Sequence, residues 1–515
     1  MDGRRNRISG GAEKAAAALV LLLVFAFVLV LTYTACRETS VLNTDNLSGE
    51  NIEFYADNVF LNCIVLGILL SAAYLFYLHG DGIHIKKMER ALLVWTFLFG
   101  TAYIASAKLR APTYSDSFLV TYGAQRAALG DYAVLYENYY YRFPFQLGYV
   151  LYSEILFRLL GIVLRGEPEG YAVLALQEVN LLWLLLEYHA LVEITALLFK
   201  NERIRKLLIL LLFLCFPPLL TLPYLYGSIP AFSCGALAVW MFLRYMKQGG
   251  RSRAILCAAF LTLAVTLKLN LLIVCVAVGG VWLVMLLKAP SRESLLCFLL
   301  ALACVLTLPS LPQKLYERRL GIRYGDGIPM LAWMAMGFDE GHAAPGWYKE
   351  EHTVTAFESS GHDADATAES AKAFLRERLA VFKGDRRYAL HFFYDKLRSQ
   401  WNEPSCGSLW INQVYPSYSS KGRLCTFLCE SGAKRTLAVM NQIQQLVFLG
   451  LLFGIIRLWR KKDLLRCLLP LILLGGLLYH LLFEAKSQYA LPYFVLILPI
   501  AAYGLFTLFR KVELR

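Results

Sequence analysis

The sequence predicts an all-α, polytopic membrane protein with about twelve transmembrane helices. Three observations predict it. First, the 515 residues are 58% hydrophobic with a mean hydropathy of +0.50, far above a soluble domain. Second, apolar runs long enough to cross roughly 30 Å of hydrocarbon recur along most of the chain. In lipid they must be helical, because each unpaired backbone N–H or C=O there is costly. Third, basic residues cluster between the runs, at 4–7, 86–90, 200–206, 244–253, 288–292, 457–466 and 510–515. That is the positive-inside pattern of cytoplasmic loops. The net charge of +13 therefore points to membrane lipids as partners and not to nucleic acid.

Each element follows in order. The run 15–33 follows Arg4, Arg5, Arg7 and Lys14 and carries no convincing small-residue cleavage site, so it reads as a retained first helix, 13–35, with the N-terminus inside. The acidic loop 37–57 lies outside, helix 58–79 returns to the basic loop 84–90, and helix 91–108 exits again. The next apolar segment, 147–164, raises a problem of parity. If it and 171–199 both crossed, the basic loop 200–206 would face outward. Segment 147–164 is therefore placed on the outer side as an interfacial or re-entrant helix, which suits its Glu154 and Arg158. Segment 171–199 crosses inward. Helices at 206–225, 229–246, 253–269, 271–288 and 293–310 follow, and three more at 437–457, 464–483 and 489–509 bring the C-terminus inside. The chain thus divides into a bundle at 1–310 with an outer loop at 109–170, an extracytoplasmic helical region at 311–436, and a C-terminal group of helices at 437–515.

In the outer region, Phe374, Leu375, Leu379 and Phe382, then Ala389, Phe392, Phe393 and Leu397, recur at helical spacing, and Gly384-Asp385 breaks the pattern into two helices. Most of the twelve cysteines lie in apolar runs, among them Cys63, Cys215, Cys257, Cys275, Cys297 and Cys304, and read as packing residues. There is no C-x-x-C or Cys/His metal spacing. Cys406, Cys425 and Cys429 fall in the polar region, where a disulfide among them is one option.

Chemistry is sought where charge meets the outer membrane face. Asp116 lies in the polar stretch 113–146, between long apolar runs. A carboxylate there can serve as a general base, or as a turn or cap residue beside Ser115 and Ser117. Arg142, Arg126, Lys268 and Lys486 are cations in outward positions, able to hold a phosphate; snorkelling to headgroups is the plainer role for Arg142. Lys268 near the outer end of an apolar helix needs a partner. Glu484 ends a helix on the same side, with an ion pair to Lys486 or Arg126 as its alternative role. Trp347 and Tyr348, in Pro345-Gly346-Trp347-Tyr348, can stack on a sugar ring or form part of an interfacial aromatic belt.

The order of these features resembles the GT-C class of membrane glycosyltransferases, closest to bacterial relatives of the protein O-mannosyltransferases and lipid A aminoarabinose transferases. The carrying segment is TYSDSFLVTYGAQRAALGDYAVLYENYYYRFPFQLGYVLYSEILFRLLG at 113–161, with an early acid, Asp116, and a closing Arg142-Phe143-Pro144. Further matches are LKLN at 267–270, FEAKSQYALPY at 483–493 and WMAMGFDEGHAAPGWYK at 333–349. The departures are Leu269 where relatives have proline and Phe145 where they often have histidine, and they leave the substrate open. The resemblance implies transfer of a sugar from a polyprenyl-phosphate donor to an extracytoplasmic acceptor, with inversion. It implies Asp116 as base with Glu484 as a second catalytic carboxylate. Arg142, Lys268, Lys486 and Arg126 would lie at the donor phosphate, and Gln146, Trp347 and Tyr348 at the substrate. No cofactor is required; a divalent metal between Asp116 and Glu484 is left open. The competing class is a lipid or glycan transporter or flippase, against which stands the lack of an internal repeat.

Overall fold

A computed structural model describes residues 2–43, 50–163 and 169–513. The middle of the first acidic loop, 44–49, and the end of the expected interfacial segment, at 164, lie outside the described residues. The described residues are helical almost throughout, with one small antiparallel hairpin among them.

Helix α1 (Asp2–Arg37) leads into the hairpin of β1 (Glu38–Asn43) and β2 (Asn51–Ala56), whose register pairs Glu38 with Ala56 and Asn43 with Asn51. Helices α2 (Val59–His79) and α3 (Ile85–Ala107) follow, then α4 (Asp116–Ala128), α5 (Leu147–Val163) and the long α6 (Glu169–Phe199). Next come α7 (Glu202–Leu214), α8 (Phe216–Thr221), α9 (Ser228–Gln248), α10 (Arg251–Leu267), α11 (Leu272–Lys288) and α12 (Arg292–Thr307). The polar region holds α13 (Leu311–Leu320), α14 (Met330–Gly337), α15 (Ala364–Gly384), α16 (Arg386–Trp401) and α17 (Ser408–Val414). Helices α18 (Ala433–Trp459), α19 (Leu464–Leu482) and α20 (Leu491–Glu513) close the chain.

Ten helices among the described residues are long and apolar enough to cross a membrane. Two more segments run between the same two ends of the bundle: α10, of 17 residues, and α7 with α8. The latter pair breaks at Cys215, ahead of Pro217 and Pro218, which supply no N–H and favour a new helix start. The ends are identified by contacts. Arg203 binds Asp81 and also reaches Glu513. Lys206 donates to the Gly80 carbonyl at 2.9 Å, and Arg466 to that of Leu198 at 3.1 Å. Arg251 pairs with Glu293 and Lys288 with Glu13. The basic clusters therefore share one end of the bundle.

Helix α5 stays at the other end. Its Gly148 lies so close to the Thr266 carbonyl, at the far end of α10, that a Cβ would stand 1.9 Å from that oxygen. Further along, Arg158 donates to the Ala127 carbonyl at 2.8 Å. The buried Glu154 binds Arg158 at 2.8 Å and Arg319 at 3.3 Å, tying α5 to α13.

The polar region packs over this end as a helical cap. The break expected at Gly384-Asp385 is present: the Asp385 carboxylate accepts the Tyr388 N–H at 2.9 Å and caps α16. The cap is fastened by Lys396, which is buried and donates to the carbonyls of Gly337, Leu481 (3.1 Å) and Phe483 (2.7 Å). Burial pushes that ammonium down to about 7. The hairpin, unexpected from the sequence, joins the cap through Ser40 N–H to Asn402 O (3.2 Å) and Arg398 to Glu38 (2.7 Å). Cys406, Cys425 and Cys429 are free thiols, so the disulfide considered among them is not formed.

Candidate active site

Asp116 is the first residue of α4. Ser115, in extended conformation, caps the helix by accepting the Phe118 N–H at 3.3 Å. The cap role considered for Asp116 thus belongs to its neighbour, and the Asp116 carboxylate is left to face a cavity of about 1390 Å³. The walls come from the α3–α4 loop, the turn before α5, the α8–α9 and α10–α11 junctions, the cap, and the segment between α19 and α20.

At the floor is a chain of hydrogen bonds. Gln146 Nε2 donates to the Tyr226 hydroxyl at 2.6 Å, and that hydroxyl donates to Asp116 Oδ2 at 3.1 Å. Lys268 occupies the junction between α10 and α11 and places Nζ over the Tyr226 ring, 3.4 Å from its centroid. Across the cavity, Tyr489 donates to Glu484 at 3.0 Å, and Lys486 is ion-paired to Glu50 of the hairpin end. Protein on most sides raises the Asp116 carboxyl above its ordinary range, with Lys486, Tyr226 and Lys268 opposing. Asp116 is nonetheless exposed at the cavity wall, so its desolvation is partial. Burial raises the Glu484 carboxyl to about 7 against the pull of Lys486. Burial would lower the Lys486 ammonium, but Glu50 and Glu484 hold it above its usual value.

The structure brings Asp116, Glu484, Lys268, Lys486, Gln146, Trp347 and Tyr348 to this one cavity. Trp347 is only 1% exposed, and its indole N–H donates to Ser399 at 2.8 Å, so most of the ring is packing. Tyr348 is half-buried, with its hydroxyl 3.4 Å from Glu350. Arg142 and Arg126 do not line the cavity. Arg142 is ion-paired to Glu358, and Arg126 binds Asp131 at 2.5 Å. The turn carrying Arg142 is pinned from above by Gly327, at φ +72°, where a Cβ would lie 2.7 Å from the Arg142 carbonyl.

Among the described residues Asp116 and Glu484 belong to no three-ligand metal group; one oxygen of each accepts from Tyr226 and Tyr489, and the Lys486 charge acts on both acids. The group of suitable side chains among the described residues is Asp339, Glu351 and His352, and Lys349 already bonds Asp339 at 3.0 Å and Glu351 at 3.0 Å there.

Sequence reasoning missed Tyr226, Tyr489 and Glu50. The two tyrosines carry no charge pattern and sit in aromatic-rich strings. Glu50 is one acid among several in its loop.

A family described as "Conserved hypothetical integral membrane protein" matches residues 174–506, well over half of the chain. The chain belongs to this family. The family's segment contains Tyr226, Lys268, Glu484 and Lys486, whereas Asp116 and Gln146 precede it. No curated protein matches the chain. Among solved structures, it is similar to the archaeal oligosaccharyltransferase AglB from Archaeoglobus fulgidus, in complex with an inhibitory peptide and a dolichol-phosphate, with a TM-score of 0.41 and 12% identity. The match covers 83% of this chain and 51% of that one, so the chain spans about half the length of that protein. A likeness at this level carries no functional weight.

Proposed function

We propose that this chain is an integral-membrane glycosyltransferase of the GT-C kind. It moves a sugar from a polyprenyl-phosphate donor to an acceptor on the extracytoplasmic side. The supporting observation is the convergence of the Asp116 carboxylate and two ammonium groups, Lys268 and Lys486, on a single large cavity. The cavity lies at the end of the bundle opposite the basic clusters, which by the positive-inside rule is the outer end.

The chemistry follows from these groups. The acceptor hydroxyl or amine gives its proton to Asp116 as its heteroatom attacks the anomeric carbon. The bond from that carbon to the phosphate oxygen breaks, and its electron pair leaves with the lipid phosphate. Lys268 and Lys486 stabilise the growing phosphate charge. No covalent sugar-enzyme intermediate is needed, so the anomeric configuration inverts. Glu484, partly protonated near neutral pH, serves as the second carboxylate. Gln146 and Tyr348 contact the substrate, and no step passes through a metal.

Purified protein in lipid nanodiscs should release polyprenyl phosphate from synthetic polyprenyl-phosphate sugars. Asp116→Asn should lower turnover by about 10²–10⁴-fold while retaining donor binding. An Asp116→Asn protein with near wild-type turnover would overturn the assignment of the base. Movement of the intact donor across the bilayer without sugar transfer would instead make the chain a flippase.

A further inference from the structure

Tyr226 sits where α8 turns into α9. Gly227 after it takes φ +74°, and a Cβ there would lie 3.0 Å from the Leu267 carbonyl, so the backbone at this point is closely confined. The Tyr226 side chain is 8% exposed and touches three polar groups at once. Its hydroxyl accepts from Gln146 at 2.6 Å and donates to Asp116 Oδ2 at 3.1 Å. A phenol has one proton, and with Gln146 as the donor on one side that proton points at Asp116. The other carboxylate oxygen has no protein donor among the described residues.

The ring does something separate. The Lys268 ammonium rests on its face, 3.4 Å from the centroid. Asp116 is at the oxygen edge of the same ring. No carboxylate lies within salt-bridge distance of Lys268 among the described residues, although Asp116 is close enough to be felt electrostatically. Opposite charges in a half-buried site attract, yet the Lys268 ammonium rests on the ring face and not on the carboxylate, which the hydroxyl of the same ring holds.

We propose that Tyr226 is a positioning residue for Asp116: its hydroxyl fixes one carboxylate oxygen, and its ring keeps Lys268 from closing on that carboxylate. The base and the cation then face the cavity as separate groups, one for the acceptor's proton and one for an anion. The proposal rests on the reading of Asp116 as base, but its test needs no turnover.

Hydrophobic carbodiimides modify protonated carboxyls, and mass spectrometry assigns the adduct to Asp116 or to Glu484. The fraction of Asp116 modified against pH gives a midpoint for that residue. The titratable groups facing Asp116 are Lys486, Glu50, Glu484 and Lys268, whose ammonium burial pushes down to about 7 against the pull of Asp116 and Glu484. The phenols of Tyr139, Tyr224, Tyr348 and Tyr489 also face it and stay neutral over the range used. Tyr226→Phe keeps the ring and loses the donor, so the midpoint should rise. Tyr226→Leu removes the ring, so Lys268 should close on Asp116 and the midpoint should fall, by roughly one unit or more. Adding Lys268→Met to Tyr226→Leu should abolish that fall. A thermal melt of each variant, compared with wild type, reports that the fold is intact. A Tyr226→Phe midpoint equal to wild type, or a Tyr226→Leu midpoint that rises with it, overturns the proposal. An active Asp116→Asn protein would overturn the base assignment and leave these shifts in place.

Discussion

Single residues set the chemistry of the cavity through their neighbours. Glu484 and Asp116 line the same cavity, and the Asp116 charge helps to raise the Glu484 carboxyl. Removing the Glu484 charge takes away a like charge, which makes Asp116 easier to ionise. Turnover should fall at acid pH as Asp116 takes up a proton, and in Glu484→Gln this acid limb should move to lower pH. A pH–rate profile checks it; an unmoved limb would mean that the two carboxylates act independently. Lys268 and Arg142 should differ. Lys268→Met should raise the apparent KM for the polyprenyl-phosphate donor, because Lys268 faces the cavity. Arg142→Ala should leave that KM nearly unchanged, because Arg142 is held by Glu358. Donor titration of the two variants decides it, and the reverse order would return the phosphate to Arg142. Lys396 acts on stability. Lys396→Met leaves three carbonyls without their donor, which should cost roughly 2–4 kcal/mol and lower the apparent Tm in a thermal melt.

At the scale of elements, α4 carries Asp116 at its first position, on the cavity wall. Its apolar and small residues Val120, Gly123, Ala124 and Ala127 are buried, which leaves the N-terminus as its functional end. Ser115→Ala removes the cap, at a cost of about 1 kcal/mol, and loosens the first turn on which Asp116 rides. The expected outcome is a fall in turnover larger than the fall in donor affinity, measured by the split between kcat and KM. Helix α5 has a different task. It is apolar enough to lie against lipid, yet Gly148 packs closely on the end of α10 and Arg158 bonds the end of α4. It braces α4 and α13 through buried Glu154 and Tyr316 with the more exposed Arg158 and Arg319. The hairpin contributes Glu50, which holds Lys486 at the cavity wall.

At the scale of the whole molecule, the basic clusters gather at one end and the cavity with its cap lies at the other. This gives a topology that labelling can test. Single cysteines in an otherwise cysteine-free chain should react with a membrane-impermeant maleimide from outside at position 116 and within 311–436. Those at 84–90 and 457–466 should react only after the membrane is opened. Outside labelling at 457–466 would reverse the orientation and place the cavity in the cytoplasm.

The class, the approximate path and several residues of the cavity wall are legible in the sequence alone. Lipid admits only helices and closed barrels, so long apolar runs define crossings without reference to their neighbours, and charge clusters define their order. The same rule placed 147–164 on one side by parity, and the Gly384-Asp385 break was legible because a cap and a lost period are local signals. Local pattern could not say which polar groups meet. Asp116, Lys268 and Glu484 are far apart in the chain, and only packing brings them to one cavity. Arg142 looked equivalent to Lys268 in the sequence; the tertiary structure separated them by giving one an acidic partner and the other an aromatic face. Tyr226 was invisible beforehand, because an uncharged phenol acquires its role only from the three groups that folding places around it.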